Sequence, residues 1–302
     1  MRLLIKGVAE RALVWSGVVR TARYRARGRA LILAYHNVVP DTMTSLGDAA
    51  NHLPLSRFRA QLDSLEATHD IVPLAACLHG PAHSARPRAA ITFDDAYRGA
   101  LTLAVPELVR RQLPATIFVA PAFIGGKSFW WDELGRPDGG LDNAVREIAL
   151  NRLAGRSDAV CDWARESNVP LAPVPAIARA ASLDELAAAA AASGMTIGSH
   201  SWSHANLTHL STDALVEDLA RSRAWVRSIA RSWCNCIAYP YGSHDQRVID
   251  GCIAAGYEGG LAIRGGWVPT TDLNPFAVPR VNIPRGVSDL GFAIRTAGLL
   301  AT

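Results

Sequence analysis

No run of about 18 apolar residues occurs in this chain, which removes a membrane-spanning helix from the expected fold. Cysteine is scarce: Cys77, Cys161, Cys234, Cys236 and Cys252 are odd in number and irregularly spaced, so no disulfide framework is expected. Cys234-Asn235-Cys236 is too close for an ordinary bridge and lacks a second half-site for structural zinc. All five are expected to be packing or surface residues. Charge of one sign is also lacking, since 31 Lys and Arg against 27 Asp and Glu leave only +4. That balance gives no general ground for nucleic-acid binding. No internal repeat is present, nor any low-complexity segment beyond Ala187 to Ala192. What remains is 49% hydrophobic and 19% charged, enough for a sizeable core. At 302 residues the chain fits one large α/β domain or two ordinary ones.

The N-terminus carries a short apolar patch, Ala12 to Val19, behind Arg2, Lys6 and Arg11. Ser16 and Gly17 interrupt it, and Arg20, Arg23, Arg25, Arg27 and Arg29 follow where a cleavage site would need small residues. A secretory signal therefore fits poorly. On a helical wheel Leu4, Val8, Ala12, Trp15 and Val19 share a side opposite Arg2, Lys6 and Glu10. Residues 1–28 are thus expected to form a basic amphipathic helix. It either lies on an anionic membrane surface or packs on its own domain. A cytoplasmic chain, or one peripheral on the inner face of the cytoplasmic membrane, is the matching location.

From residue 29 onward, short apolar runs alternate with helical patterns. Strands are expected at Arg29 to Tyr35, Ile71 to Leu74, Ala89 to Phe93, Ala115 to Ala120, Met195 to Gly198, Ile237 to Tyr239, Gly260 to Ile263 and Ala277 to Ile283. Residues 37 to 53 and 80 to 87 read as loops. Helices are expected after Ser56, through Leu101 to Val109, after the capping box Ser182-Leu183-Asp184-Glu185, from Thr212, and over Asp245 to Ala255. Residues 125 to 182 break the rhythm and read as an inserted helical cap. Repeated βα units imply a mostly parallel sheet covered by helices.

Reactive side chains cluster just after strand ends, where barrel and open-sheet enzymes build their sites. Ile91-Thr92-Phe93-Asp94-Asp95 ends a buried strand in two adjacent carboxylates, which is costly unless something there needs negative charge. Ser199-His200-Ser201-Trp202-Ser203-His204 places two imidazoles four residues apart after another strand. One carboxylate with two histidines makes a metal-binding face with open positions. The other carboxylate is then free to act as a base. Taken singly, Asp94-Asp95 could be a helix cap and the histidines a solvated loop. Ala238-Tyr239-Pro240-Tyr241-Gly242 could aim a backbone N–H and aromatic walls at a substrate, or be a rigid turn. His36, at the end of the first strand, lies at the same rim.

Together, Thr92-Phe93-Asp94-Asp95, His200-Ser201-Trp202-Ser203-His204 and Tyr239-Pro240-Tyr241-Gly242 resemble the polysaccharide deacetylases of carbohydrate esterase family 4. The resemblance runs from about Leu31 to Ile283. It implies a distorted (β/α)7 barrel, residues 29–302 as the catalytic domain, and metal-assisted removal of acetyl groups from a sugar. Carried over by position, Asp94 is the general base, while Asp95, His200 and His204 hold the metal. The backbone N–H of Tyr241 is the oxyanion donor. Tyr35-His36 resembles the start of the poly-N-acetylglucosamine deacetylases, in which the matching histidine is the general acid. The Trp130-Trp131-Asp132-Glu133 insertion and Val278-Pro279-Arg280 resemble a bacterial subgroup. Tyr239 stands near the place where many members have an arginine that pairs with the base. The expectation here is that Arg280 orients Asp94 and that His36, with His244 as rival, protonates the leaving amine.

The cofactor implied is a divalent metal, with Zn2+ suiting the ligands best and Co2+ or Ni2+ also fitting. Tyr239, Pro240, Tyr241 and Trp131 are the expected substrate-binding residues, although Trp131 could equally be cap core. The expected partner is an acetylated glycan or glycolipid, with peripheral membrane contact through residues 1–28 and no nucleic acid. The alternatives are a hydrolase of the same fold acting on a non-carbohydrate C–N bond, and a catalytically silent glycan-binding module.

Overall fold

A computed structural model describes residues 2–43, 46–78, 84–136 and 139–299. Ten strands are present among them: β1 (Ala30–Tyr35), β2 (Asn37–Val39), β3 (His52–Pro54), β4 (Asp70–Ile71), β5 (Arg88–Phe93), β6 (Ala115–Val119), β7 (Met195–Ser199), β8 (Trp233–Ala238), β9 (Gly259–Leu261) and β10 (Val281–Asn282). Every residue of β1, β5 and β6 is buried. Such unbroken burial requires cover on both faces, as in a parallel sheet wrapped by helices. The main sheet runs β10-β1-β5-β6-β7-β8-β9, with β4 beside the start of β5, and every pairing is parallel.

The sheet curls. Gly260 N–H donates to Pro275 O, Val278 N–H to Gly260 O and Ala262 N–H to Val278 O, so the approach to β10 also bonds along β9. The two ends of the sheet are thereby drawn together into the distorted (β/α)7 barrel expected from the sequence.

Twelve helices are described: α1 (Arg2–Trp15), α2 (Val18–Arg25), α3 (Leu55–Thr68), α4 (Leu74–Leu78), α5 (Val105–Arg110), α6 (Trp130–Glu133), α7 (Asn143–Glu147), α8 (Ser157–Glu166), α9 (Leu183–Ala191), α10 (Thr212–Ile229), α11 (Gln246–Ala254) and α12 (Asp289–Thr296). The capping box at Ser182 forms as read, with Ser182 Oγ accepting from Glu185 N–H and the Glu185 carboxylate accepting from Ser182 N–H. Residues 125 to 182 hold α6, α7 and α8. All five cysteines are free, and no described helix is long and apolar enough to cross a membrane.

Two expectations need correction, and a third is covered only in part. The segment 37 to 53 is not all loop: β2 and β3 pair in parallel within it, because Val38, Val39 and Leu53 are buried rather than solvated. The expected strand Ile71 to Leu74 is only Asp70–Ile71, and Leu74 opens α4. The expected loop at 80 to 87 is described only from Ser84 onward.

The N-terminal helix also differs. Gly17, at φ 79°, breaks it into α1 and α2. Glu10, read as solvent-facing, is buried and accepts a hydrogen bond from Ser288 Oγ at 2.5 Å. Val19 packs with Ile294 and Ala297, whereas Ala12 and Trp15 face out. The wheel treated 1–28 as one rod, whereas the turn at Gly17 breaks it, and both α1, through Glu10 and Val14, and α2, through Val19, meet α12. The side chains of residues 1–6, 8 and 9, including Arg2, Leu4, Lys6 and Val8, lie outside the described residues.

Candidate active site

Strand register brings the reactive residues to one rim. Tyr35 of β1 lies opposite Phe93 of β5, so His36 and Asp94 leave the sheet side by side. Val119 of β6 lies opposite Ser199 of β7, and His200 follows with its N–H on Val119 O at 2.8 Å. Val281 pairs with Leu33, which sends Arg280 into the barrel interior.

Arg280 and Asp94 are both wholly buried and form a two-pronged pair. Nη1 donates to Oδ1 and Nη2 to Oδ2, each at 2.7 Å. Arg280 also donates to Thr92 Oγ1 at 3.2 Å and to Ala262 O at 3.4 Å. Burial pushes the Asp94 carboxyl towards its neutral form, but the Arg280 charge and hydrogen bonds, with His200 and His36 nearby, together outweigh it and hold the acid well below its usual range.

Asp95, His200 and His204 offer ligand atoms that lie within 4.8 Å of one another, all on buried residues. His200 Nδ1 donates to Ala238 O at 2.7 Å. A carbonyl can only accept, so the proton is on Nδ1 and the Nε2 lone pair points inward. His200 Nε2 lies 3.5 Å and His204 Nε2 2.9 Å from Asp95 Oδ1. Yet Asp95 Oδ1 and His204 Nδ1 are buried without a hydrogen-bond partner. A buried carboxylate oxygen left this way is costly. A divalent cation held by one carboxylate and two imidazoles would satisfy it, so the residues fit the metal. Burial favours neutral Asp95, but the adjoining His204, and after it the nearby His200 and His36, hold it below its ordinary range.

The backbone here is unusual. Nine described residues other than glycine have left-handed φ, and five of them, Asp95, Ala96, Ser201, His204 and Tyr241, surround the site. Such conformations cost roughly 1–3 kcal/mol each and persist only where the surroundings impose them. Asp218, buried on α10, does this for the histidine loop: it accepts from Trp202 N–H at 2.6 Å, Ser203 N–H at 2.9 Å and Ser203 Oγ at 2.5 Å.

A cavity of 230 Å³ opens above these groups, lined by His36, Asp94, Asp95, His200, His204 and Tyr241 from the barrel. The cap contributes Trp130, Trp131, Arg146 and Leu150 to its walls. Tyr241 sits edge-on to His204 at 4.9 Å, its hydroxyl accepting from Trp130 Nε1 and donating to Gly155 O. Gly155 must be glycine, because at φ 65° a Cβ would stand 2.6 Å from that hydroxyl. The turn's own hydrogen bonds run from Gly242 N–H and Ser243 N–H, leaving Tyr241 N–H outside them. A larger cavity of 520 Å³, lined by Cys234, Cys236 and Trp233, lies at the other end of the strands and holds none of these groups.

Two expected substrate-binding residues stand elsewhere. Tyr239 is wholly buried, donates to Phe276 O at 3.0 Å and stacks on His244 at 4.7 Å. β8 ends at Ala238, and in the turn that follows the left-handed Tyr241, at φ 59°, faces the cavity, whereas Tyr239 and the buried Pro240 do not line it. His244, held against Tyr239 and near Gly242 O, does not line the cavity, whereas His36 does. Trp131 is a wall rather than an open platform, being 5% exposed and stacked on Phe129.

Sequence reasoning passed over a buried network behind that wall. Trp131 Nε1 donates to Tyr97 Oη at 2.7 Å, and Tyr97 Oη donates to Asp132 Oδ2 at 2.7 Å. Asn37 donates to His52 Nδ1 at 3.0 Å, and His52 Nε2 donates to Asp132 Oδ1 at 2.8 Å. Burial of Asp132 raises its pKa, against the opposing charge of His52. The chain ends on Trp131, whose ring lies 4.8 Å from that of His204. An acid directly after two tryptophans was the available signal.

A family model described as polysaccharide deacetylase matches residues 82–260. The chain belongs to the polysaccharide deacetylase family. No curated protein matched it. Among solved structures, IcaB from Ammonifex degensii superposes with a TM-score of 0.62 at 17% identity, over 90% of this chain and 98% of that one. The deacetylase PplD from Streptococcus pyogenes, in complex with acetate, gives 0.58 at 15% identity over 88% and 97%. The deacetylase domain of BpsB from Bordetella bronchiseptica gives 0.56 at 14% identity over 85% and 96%. At these identities the likeness speaks for the fold.

Proposed function

We propose that this chain is a metal-dependent N-deacetylase that hydrolyses acetamido groups on a sugar, within a glycan or a glycolipid-linked glycan. The observation that carries the reading is the buried Asp95, His200 and His204 donor set beside Asp94, itself held by Arg280, all in one cavity. Membership of the polysaccharide deacetylase family supports the substrate class.

Asp95, His200 and His204 would hold the divalent cation, with Zn2+ the best match to this donor set and Co2+ or Ni2+ possible. Bound there, it would supply Lewis-acid polarisation of the acetyl carbonyl and promote ionisation of water. Asp94 accepts the proton of the attacking water. Arg280 keeps that carboxylate charged and fixes both of its oxygens. The Tyr241 N–H donates to the developing oxyanion, a contribution typically worth about 100–1,000-fold in rate. His36 gives a proton to the departing amine, and its place on the cavity wall favours it over His244. Trp131 and Tyr241 close the sides and exclude bulk water.

The test is acetate release from chitooligosaccharides and from a lipid-linked acetamido sugar, using protein loaded with Zn2+ and Asp94→Asn as control. Release by the wild type and none by Asp94→Asn supports the reading. No release from either substrate, with hydrolysis of a simple non-sugar acetamide instead, would favour the same fold acting on a non-carbohydrate C–N bond.

A further inference from the structure

The turn between α1 and α2 carries features that neither the core nor the catalytic cavity uses. Nine large hydrophobic side chains are exposed among the described residues, and four fall between positions 13 and 24: Leu13 at 38%, Trp15 at 83%, Val18 at 42% and Tyr24 at 62%. Exposing an indole to that extent is wasteful for a solvated surface, and the clustering of four such groups marks a contact site. Tyr24 also lines a pocket of 470 Å³, together with Arg20, Thr21, Arg23, Arg27 and Arg86, and no acidic residue lines it. Arg27 lies over the Tyr24 ring at 3.9 Å, and Arg23 Nε is buried without a hydrogen-bond partner. Arg86 is the one lining arginine with an acid near it, Asp70 at 3.6 Å. In the sequence no acid occurs between Glu10 and Asp41, and Glu10 itself turns inward to Ser288.

We propose that this corner is a docking surface for an anionic phospholipid bilayer, with Trp15, Leu13 and Val18 entering the headgroup boundary and the arginine pocket taking a lipid phosphate. Basic side chains next to exposed tryptophan and aliphatic groups are the composition of an interfacial helix. Charge complementarity selects the occupant. A second copy of this chain would set arginines against arginines, which like charge opposes. A nucleic acid would use the guanidinium groups but not the aliphatic Leu13 and Val18.

The placement bears on what the enzyme can reach. Arg86 lies just before β5 and Asp94 just after it, so six strand residues, about 20 Å, separate the pocket from the base. Docking therefore leaves the catalytic cavity open and away from the lipid.

The test is co-sedimentation of the full chain with phosphatidylcholine vesicles, with and without phosphatidylglycerol. Binding to the anionic vesicles alone is expected, weakening as salt rises. Arg20→Glu with Arg27→Glu should reduce it by about five-fold or more per site, whereas Arg20→Lys with Arg27→Lys should retain most of it. Trp15→Ser should weaken it several-fold, and acetate release from a soluble substrate should be unchanged in all these variants. Binding that is absent, equal on neutral vesicles, or indifferent to both Arg20→Glu/Arg27→Glu and Trp15→Ser would overturn the proposal. So would a dimer in sedimentation velocity that Trp15→Ser dissolves, or tight RNA binding with no vesicle binding. Stabilisation by inorganic phosphate without vesicle binding would equally reject it.

Discussion

Arg280 reaches across 186 residues of sequence to hold both oxygens of Asp94, each at 2.7 Å, inside the barrel. Neither residue touches solvent, so the pair is meaningful only as a pair. Arg280→Ala should strand a buried carboxylate and cost roughly 3–5 kcal/mol of stability, as removing one partner of such a pair generally does. Arg280→Ala combined with Asp94→Asn should recover a large part of that loss in thermal melts, and both variants should be inactive. A double variant as unstable as Arg280→Ala alone would mean that Arg280 acts through packing against Phe118, not through Asp94.

His36 is tested best through the leaving group. An amine must be protonated to depart, whereas a nitrophenolate need not be. His36→Ala should therefore slow amide hydrolysis by about 100–10,000-fold, the usual range for a general acid. It should slow hydrolysis of nitrophenyl acetate far less. His244→Ala, on a residue stacked outside the cavity, should show no such split. Equal loss on both substrates in His36→Ala would remove it from the acid's role.

The network behind Trp131 should tune the site without touching substrate. Tyr97→Phe removes the acceptor of the Trp131 indole and a donor to Asp132 in one step. The expected effects are about 1–3 kcal/mol of stability, from leaving buried polar groups unpaired, and a 10–100-fold weaker hold on metal. Metal affinity, measured by competition with a chromophoric chelator, separates this from simple unfolding. Unchanged affinity in a folded Tyr97→Phe protein would confine the network to a structural role.

Much of this was legible in the chain. The strand runs, the capping box at Ser182 and the two motifs that end β5 and β7 are local patterns, and local patterns survive folding. Arg280 was reachable only through the family resemblance, in which Tyr239 stands near the place of the arginine that pairs with the base and Val278-Pro279-Arg280 offers another. What escaped depended on contacts distant in sequence. Asp218 sits within the apolar face of α10, among Leu215, Leu219 and Val226, and that misplaced acid was a signal of a buried acceptor. Nothing near His52 announces its partner 80 residues away. Which tyrosine of Tyr-Pro-Tyr-Gly faces the cavity could not be read from the motif, because it is decided by the left-handed turn at Tyr241 and not by a periodic pattern. The N-terminal wheel groups residues by side but does not say which side meets the protein, and within α1 Glu10 turns in to Ser288 while Ala12 and Trp15 face out.

His69 gives a pH dependence of stability that is separate from catalysis. It is 2% exposed, donates from Nε2 to Thr296 O at 3.0 Å and lies 2.9 Å from Thr68 Oγ1. Burial, aided by the Arg23 charge, lowers its pKa from 6.5 to about 4. Between those values the unfolded chain binds a proton that the folded chain refuses. Its contribution is therefore whole above pH 6.5 and declines as the pH falls towards about 4, by roughly 3 kcal/mol in all. His69→Gln should flatten that part of the stability–pH curve in denaturant titrations. A curve as steep as the wild type's would place the acid sensitivity in other groups.

Metal removal distinguishes the ligands from the base although they are neighbours in sequence. A cation bound by the folded state alone stabilises by about 2.7 kcal/mol when it is present at 100 times its Kd. Chelation should thus lower the wild-type melting temperature and abolish acetate release, and Zn2+ should restore both. Asp95→Asn should melt at the same temperature with or without added Zn2+, because it loses a charged ligand whose buried oxygen has no other partner. Asp94→Asn should still be stabilised by Zn2+ while remaining inactive, since its carboxylate is committed to Arg280. If Asp94→Asn lost the Zn2+ response and Asp95→Asn kept it, the two roles would have to be exchanged. If neither variant nor wild type responded, the buried triad would be a hydrogen-bonding cluster and not a metal site.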